Sequence, residues 1–60
     1  MYLFEAHYTN MDTNEKVIRK IEIEEQFFDS EKEIYLYAMN KAYDMKEKYE
    51  CFSDLEFIAC

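Results

Sequence analysis

Two runs of alternating apolar and polar residues flank a short polar stretch, and the register between them constrains the fold more than any other feature of this chain. Residues 2–9 place Tyr2, Phe4, Ala6 and Tyr8 on one face, with Leu3, Glu5, His7 and Thr9 on the other. Residues 16–24 place Val17, Arg19, Ile21 and Ile23 on one face, with Ile18, Lys20, Glu22 and Glu24 opposite. A period of two marks a half-buried strand, because successive side chains of an extended backbone point to opposite sides. Between the runs lies Asn10-Met11-Asp12-Thr13-Asn14-Glu15, with two Asn that tolerate left-handed backbone angles. The chain contains no Gly and no Pro, so Asn, Asp, Ser and Thr must make its turns.

A hairpin with Asn10 facing Glu15 sets Tyr8 against Val17, Phe4 against Ile21 and Tyr2 against Ile23, all on the inner face. On the outer face it sets Glu5 against Lys20, an opposite-charge cross-strand pair. A slip of one residue would turn the whole apolar set toward solvent. Arg19 is the misfit on the inner face. It falls opposite Ala6 near the open end, where its stem is expected to lie on apolar surface and its head to reach water.

A helix is expected over 31–49. Ser30 followed by Glu33 fits a capping box, and Asp29, Glu31 and Glu33 suit the positive end of a helix dipole. Ile34, Tyr35, Ala38, Met39, Ala42, Met45 and Tyr49 then share one face, while Leu36, Tyr37 and Tyr43 fall outside it. The period returns to two over 52–59. Leu55, Phe57 and Ala59 share the inner face, and Phe52, Asp54, Glu56 and Ile58 the outer one. The expected fold is therefore α+β: one ββαβ domain over 1–60, with a three-stranded antiparallel sheet in order 2-1-3 and one helix packed on one face.

A chain of 60 residues buries only about 60% of the surface its unfolded form exposes. With 50% hydrophobic and 18% aromatic residues it carries more apolar surface than one helix and a small sheet hide, so homodimerisation is expected. The net charge is −7, from fourteen acids against seven Lys and Arg. Without a basic patch, direct binding to nucleic acid or to an anionic membrane is not expected. The partner expected is a protein with a basic surface. Cys51 and Cys60, at the two ends of one strand, would stand about 30 Å apart, beyond the roughly 6 Å that a disulfide spans. Two free thiols and a cytoplasmic location are the expectation. Glu5 and His7 interrupt the apolar start, so no signal peptide is expected.

Catalytic residues, metal ligands and cofactors are not expected. The single His and the two Cys do not converge, and a unit this small has little room for a concave site. The uncovered sheet face is the informative surface. Leu3, Ile18, Phe52 and Ile58 form a candidate dimer face there. Acidic residues fall into two groups, one running from Glu22, Glu24 and Glu25 to Glu33, the other holding Glu50, Asp54 and Glu56. Alternate strand positions lie about 6.6 Å apart, close to the phosphate spacing along a nucleic-acid strand, so these carboxylates suit mimicry of a phosphate backbone. The partner-binding residues expected are Glu22, Glu24, Glu25, Asp54 and Glu56 for charge, with Phe27, Phe28 and Phe52 as anchors.

In overall style, short, acidic, rich in Lys, Glu, Tyr, Ile and Asn and free of catalytic motifs, the whole chain resembles the small anti-defence proteins encoded by bacteriophages. That resemblance implies a stoichiometric inhibitor of a host defence or nucleic-acid-handling protein, and it carries over no individual residue. The rival expectation is a structural or assembly accessory that forms a homo-oligomer through its open sheet face.

Overall fold

The computed structural model describes residues 1–24 and 28–59. Glu25 and Phe27, expected at the partner surface, and Cys60, expected as a free thiol, lie outside the described residues. The element order is β1 (Tyr2–Asn10), β2 (Lys16–Ile23), α1 (Glu31–Asp44) and β3 (Glu50–Ala59). The sheet is antiparallel in order β2-β1-β3, the topology expected for the ββαβ unit.

The hairpin forms in the register the alternation dictates. Tyr2 pairs with Ile23, Phe4 with Ile21, Glu5 with Lys20 and Tyr8 with Val17. The turn is built by two asparagines. The Asn10 carboxamide oxygen accepts from Asp12 N (2.9 Å) and Thr13 N (3.2 Å), and Asn14 takes the left-handed angle, φ 67°. Asn10 N donates to Glu15 O across the neck.

Ser30 caps α1 in an extended conformation, its hydroxyl accepting from Glu33 N at 3.3 Å. The Glu33 carboxylate reaches back to Asp29 N at 3.1 Å. The cap thus satisfies one orphan amide of the first turn, and the Glu33 side chain ties down the residue before the cap. Ser30→Ala should lower stability by about 1 kcal/mol, measured as a shift of the urea midpoint with an unchanged slope.

Ile34, Ala38 and Ala42 are buried against Phe4, Ala6, Tyr8, Ile21, Ile23 and Leu55, which form the core on one side of the sheet. The helix ends at Asp44, not at the expected 49. Met45 N and Lys46 N bond back to Lys41 O and Tyr43 O, and the Tyr8 hydroxyl donates to Ala42 O, one of the carbonyls a helix end leaves orphaned. The chain then makes a tight turn in which Glu50 N donates to Glu47 O. Tyr49, expected on the buried helix face, is exposed in that turn, and its carbonyl accepts from Met11 N of the hairpin tip.

The early stop frees Glu50 to open β3, two residues before the expected start. Glu50 was grouped with the surface acids. It is instead buried, with 2% of its surface accessible. Arg19 Nη1 and Nη2 donate to its two carboxylate oxygens at 2.7 and 2.8 Å, and Glu47 N donates to Oε1 at 2.9 Å. The Arg19 guanidinium lies 4.7 Å from the centroid of the fully buried Tyr8 ring. Arg19 therefore turns inward to a carboxylate, and not outward to water, because a buried acid stands within its reach. The hydrogen bonds from Arg19, helped by the Glu47 amide, hold the Glu50 carboxyl below the ordinary carboxylate range. Burial pushes the Tyr8 hydroxyl up.

β3 also departs from simple alternation. Tyr8 pairs with Phe52 but His7 pairs with Asp54, so Ser53 is an extra residue in β3. The bulge reverses the parity of the strand. Phe52, expected on the uncovered face, instead packs on the helix side against Tyr8 (5.8 Å between centroids) and Tyr43 (4.9 Å). Tyr43, expected to lie outside the helix's packing face, stays exposed there and touches Phe52 from the rim. A second shift falls between Leu3, opposite Ala59, and Phe4, opposite Phe57. It moves Ala59 from the expected inner row to the row of Leu3. The first shift serves one need: Glu50 and Phe52 must face Arg19 and Tyr8, while Leu55 and Phe57 must face Ala6 and Phe4. An unbroken period of two cannot place 52 and 55 on one side.

Candidate functional site

The face of the sheet opposite α1 is built from the outward positions of all three strands. Its central row is Leu3, Glu5, His7 and Thr9 from β1. The register sets Glu22, Lys20, Ile18 and Lys16 beside them on β2, and Ala59, Glu56, Asp54 and Cys51 on β3. Acids therefore cross the sheet diagonally, from Glu22 on β2 through Glu5 to Glu56 and Asp54 on β3. Glu22, Asp54 and Glu56 are exposed, and Glu24 is exposed just past the end of β2. Neighbouring strands are about 4.8 Å apart and alternate residues about 6.6 Å apart, so the band presents negative charge at short, regular intervals.

Glu5 was the acid that sequence reasoning missed, because the opposing Lys20 disguised it. The two do stand opposite each other. Among the described residues, however, the close contacts between ionisable groups of this face bring His7 to Glu5 and Glu56, and no ion pair joins Glu5 to Lys20. His7 Nε2 lies 3.3 Å from Glu56 Oε2 and 3.8 Å from Glu5 Oε1. The missing signal was the register of β1 on β3, which no turn between them fixes and which sets Glu56 opposite Glu5.

The candidate dimer face is reduced by the same bulges. Phe52 leaves it for the core side. Leu3 is half-buried, and Ile18 and Ile58 are exposed at 54% and 41%. Ile18 lies beside His7 on β2, and Ile58 falls at the second register shift on β3. The acid band runs between them, so they form no continuous apolar patch.

The expected anchors divide accordingly. Phe28 is half-buried and packs on Tyr37 of α1, 5.2 Å between centroids. With Glu22, Ile23 and Glu24 these two rings line a shallow hollow along the β2 edge. Three of the residues expected to bind a partner, Glu22, Glu24 and Phe28, thus meet at one edge, while Asp54 and Glu56 stand on the opposite edge strand. A second, apolar hollow opens beside α1 between Tyr2, Phe4, Tyr35 and Phe57, with Glu31 at its rim. No helix of the described residues is long and apolar enough to cross a membrane. No protein-family model, curated protein or solved structure matches this chain.

Proposed function

We propose that this chain is a small acidic binding module that docks on a basic protein surface and acts by stoichiometric occupation, not by turnover. The observation that carries this reading is the diagonal band of Glu22, Glu5, Glu56 and Asp54 across the uncovered sheet face. Its carboxylates project from a rigid sheet at spacings near those of successive phosphates. A groove that holds a nucleic-acid strand presents Lys and Arg at matching intervals, and long-range attraction steers such a groove onto the band. The resemblance to phage-encoded anti-defence proteins points the same way: a nucleic-acid-handling protein of the host cytoplasm as target, and inhibition as the result. The edge hollow with Phe28 and Tyr37 adds aromatic surface next to Glu22 and Glu24, the mixture that anchors an interface.

The test is a triple reversal, Glu22→Lys, Glu24→Lys and Asp54→Lys, at exposed positions whose change leaves the core intact. A captured host protein should lose affinity by roughly 100-fold, since like charges meeting across an interface cost several kcal/mol. Circular dichroism and thermal midpoint should stay near those of the wild type. Unchanged capture by the folded variant overturns the proposal.

A second reading has its own observation. Phe57 and Tyr35 are 49% and 43% exposed around the apolar hollow beside α1, although Phe57 also packs on Phe4 at 5.5 Å. An assembly role, with copies of the chain joined through that hollow, would give a concentration-dependent sedimentation coefficient that the triple reversal leaves unaltered.

A further inference from the structure

We propose that Glu5, His7 and Glu56 form a binding site for a divalent transition-metal ion of the zinc type, centred on the uncovered sheet face. One ligand atom from each residue lies within 4.8 Å of the other two. Around a four-coordinate zinc ion with bonds of about 2.0–2.2 Å, neighbouring ligand atoms stand about 3.3–3.6 Å apart. The distances from His7 Nε2, 3.3 Å to Glu56 Oε2 and 3.8 Å to Glu5 Oε1, lie in or just outside that interval. Small rotations about the carboxylate torsions close the rest.

Two further observations point to a cation. His7 Nε2 has almost no accessible surface and makes no hydrogen bond among the described residues, although carboxylate oxygens are near it. A buried polar nitrogen that makes no hydrogen bond is costly, and coordination satisfies it. Glu5 and Glu56 also face each other directly across the β1–β3 ladder, and like charges so placed repel. Asp54, opposite His7, adds negative charge, while Lys20, opposite Glu5, is the one cation beside the trio in the register. An ion held between the two carboxylates and the imidazole removes both defects at once.

The donor set selects the ion class. One imidazole and two carboxylates suit zinc and its first-row neighbours better than magnesium or calcium, which prefer oxygen throughout. Three protein ligands leave the fourth position to water. Adjacent strands of a sheet fix the spacing, so the site is largely formed before the ion arrives.

This inference does not rest on the proposed docking role, and its test uses the isolated chain. The protein is prepared with Cys51→Ser and Cys60→Ser so that thiols cannot bind the metal. Cobalt(II) is titrated and followed by its visible bands, then displaced with zinc(II). Nitrogen-correlated NMR follows the single histidine in parallel. One equivalent should bind, and the His7 Nε2 resonance should shift. His7→Gln and Glu56→Gln should each weaken binding by at least the roughly 10- to 100-fold that loss of an outer-shell partner typically costs. Binding of equal strength in folded His7→Gln overturns the site, as does magnesium competing on equal terms with zinc. Should either variant fail to fold, the wild-type spectrum decides: imidazole nitrogens unmoved at saturating zinc, as for an imidazolium clamped between two carboxylates, overturn it too.

Discussion

Arg19→Ala should leave the chain without a cooperative folded state at room temperature. The substitution strands Glu50, whose side chain is 1% accessible, without the bidentate partner that offsets the desolvation of its charge. A buried charge that loses its partner is among the most destabilising single changes known in proteins, and a domain of this size has little stability in reserve. Arg19 also lies over Tyr8, so that contact goes as well. The paired substitution Arg19→Met with Glu50→Leu should restore folding, because an ion pair replaced by apolar groups of similar volume leaves nothing unsatisfied. Far-ultraviolet circular dichroism and a urea titration separate the two cases. A cooperative Arg19→Ala with the wild-type urea midpoint would mean that the pair contributes nothing to the fold.

The pH dependence of the same pair has a definite sign. Glu50 is held below its ordinary value in the folded chain, chiefly by the Arg19 hydrogen bonds. Its contribution is therefore fully present above the unfolded value of a glutamate and is lost as pH falls through the depressed folded value. Arg19 stays protonated throughout that interval. In Glu50→Gln the acid limb of the stability curve should be shallower than in the wild type. Tyr8 works in the opposite direction: its raised value means stability present below the unfolded tyrosine value and lost as pH rises beyond it.

Tyr8→Ala should cost about 3–5 kcal/mol, the range for removing a large buried aromatic side chain. Tyr8 is fully buried and joins four parts of the molecule. Its hydroxyl meets Ala42 O at the end of α1, its face carries Arg19, its edge packs on Phe52, and its backbone belongs to the central strand. Tyr8→Phe isolates the hydroxyl and should lose only about 0.5–1.5 kcal/mol. Chemical denaturation of both variants, with the Tyr8→Ala loss no greater than that of Tyr8→Phe, would show that the ring is not the keystone its contacts imply.

The hairpin was legible because three local signals agree: alternation, two asparagines able to turn, and a register that buries every apolar pair together. The cap at Ser30 was legible for the same reason. What alternation could not reveal lies in β3. A bulge leaves no mark in a pattern of period two except a break in parity, and the run of Phe52 to Ala59 admits an unbroken pairing on paper. Taking it at face value assigned Phe52 to the wrong face, while the meeting of Glu56 with Glu5 and His7 went unseen because no turn fixes the register of β1 on β3. Glu50 escaped for another reason. Its burial depends on an arginine 31 residues away, and no local pattern distinguishes a buried glutamate from a solvated one.

Order β2-β1-β3 has a kinetic consequence. β1 is the earliest strand in the chain, yet one of its two ladders waits for residues 50–59. The hairpin can assemble alone, but a lone two-strand ribbon is marginal in water. Closing the second ladder joins segments forty or more positions apart, so loop closure precedes most of the reward. Nascent chains should accordingly remain protease-sensitive until β3 has been added, and any truncation that removes it should abolish protection of the whole, not of one edge.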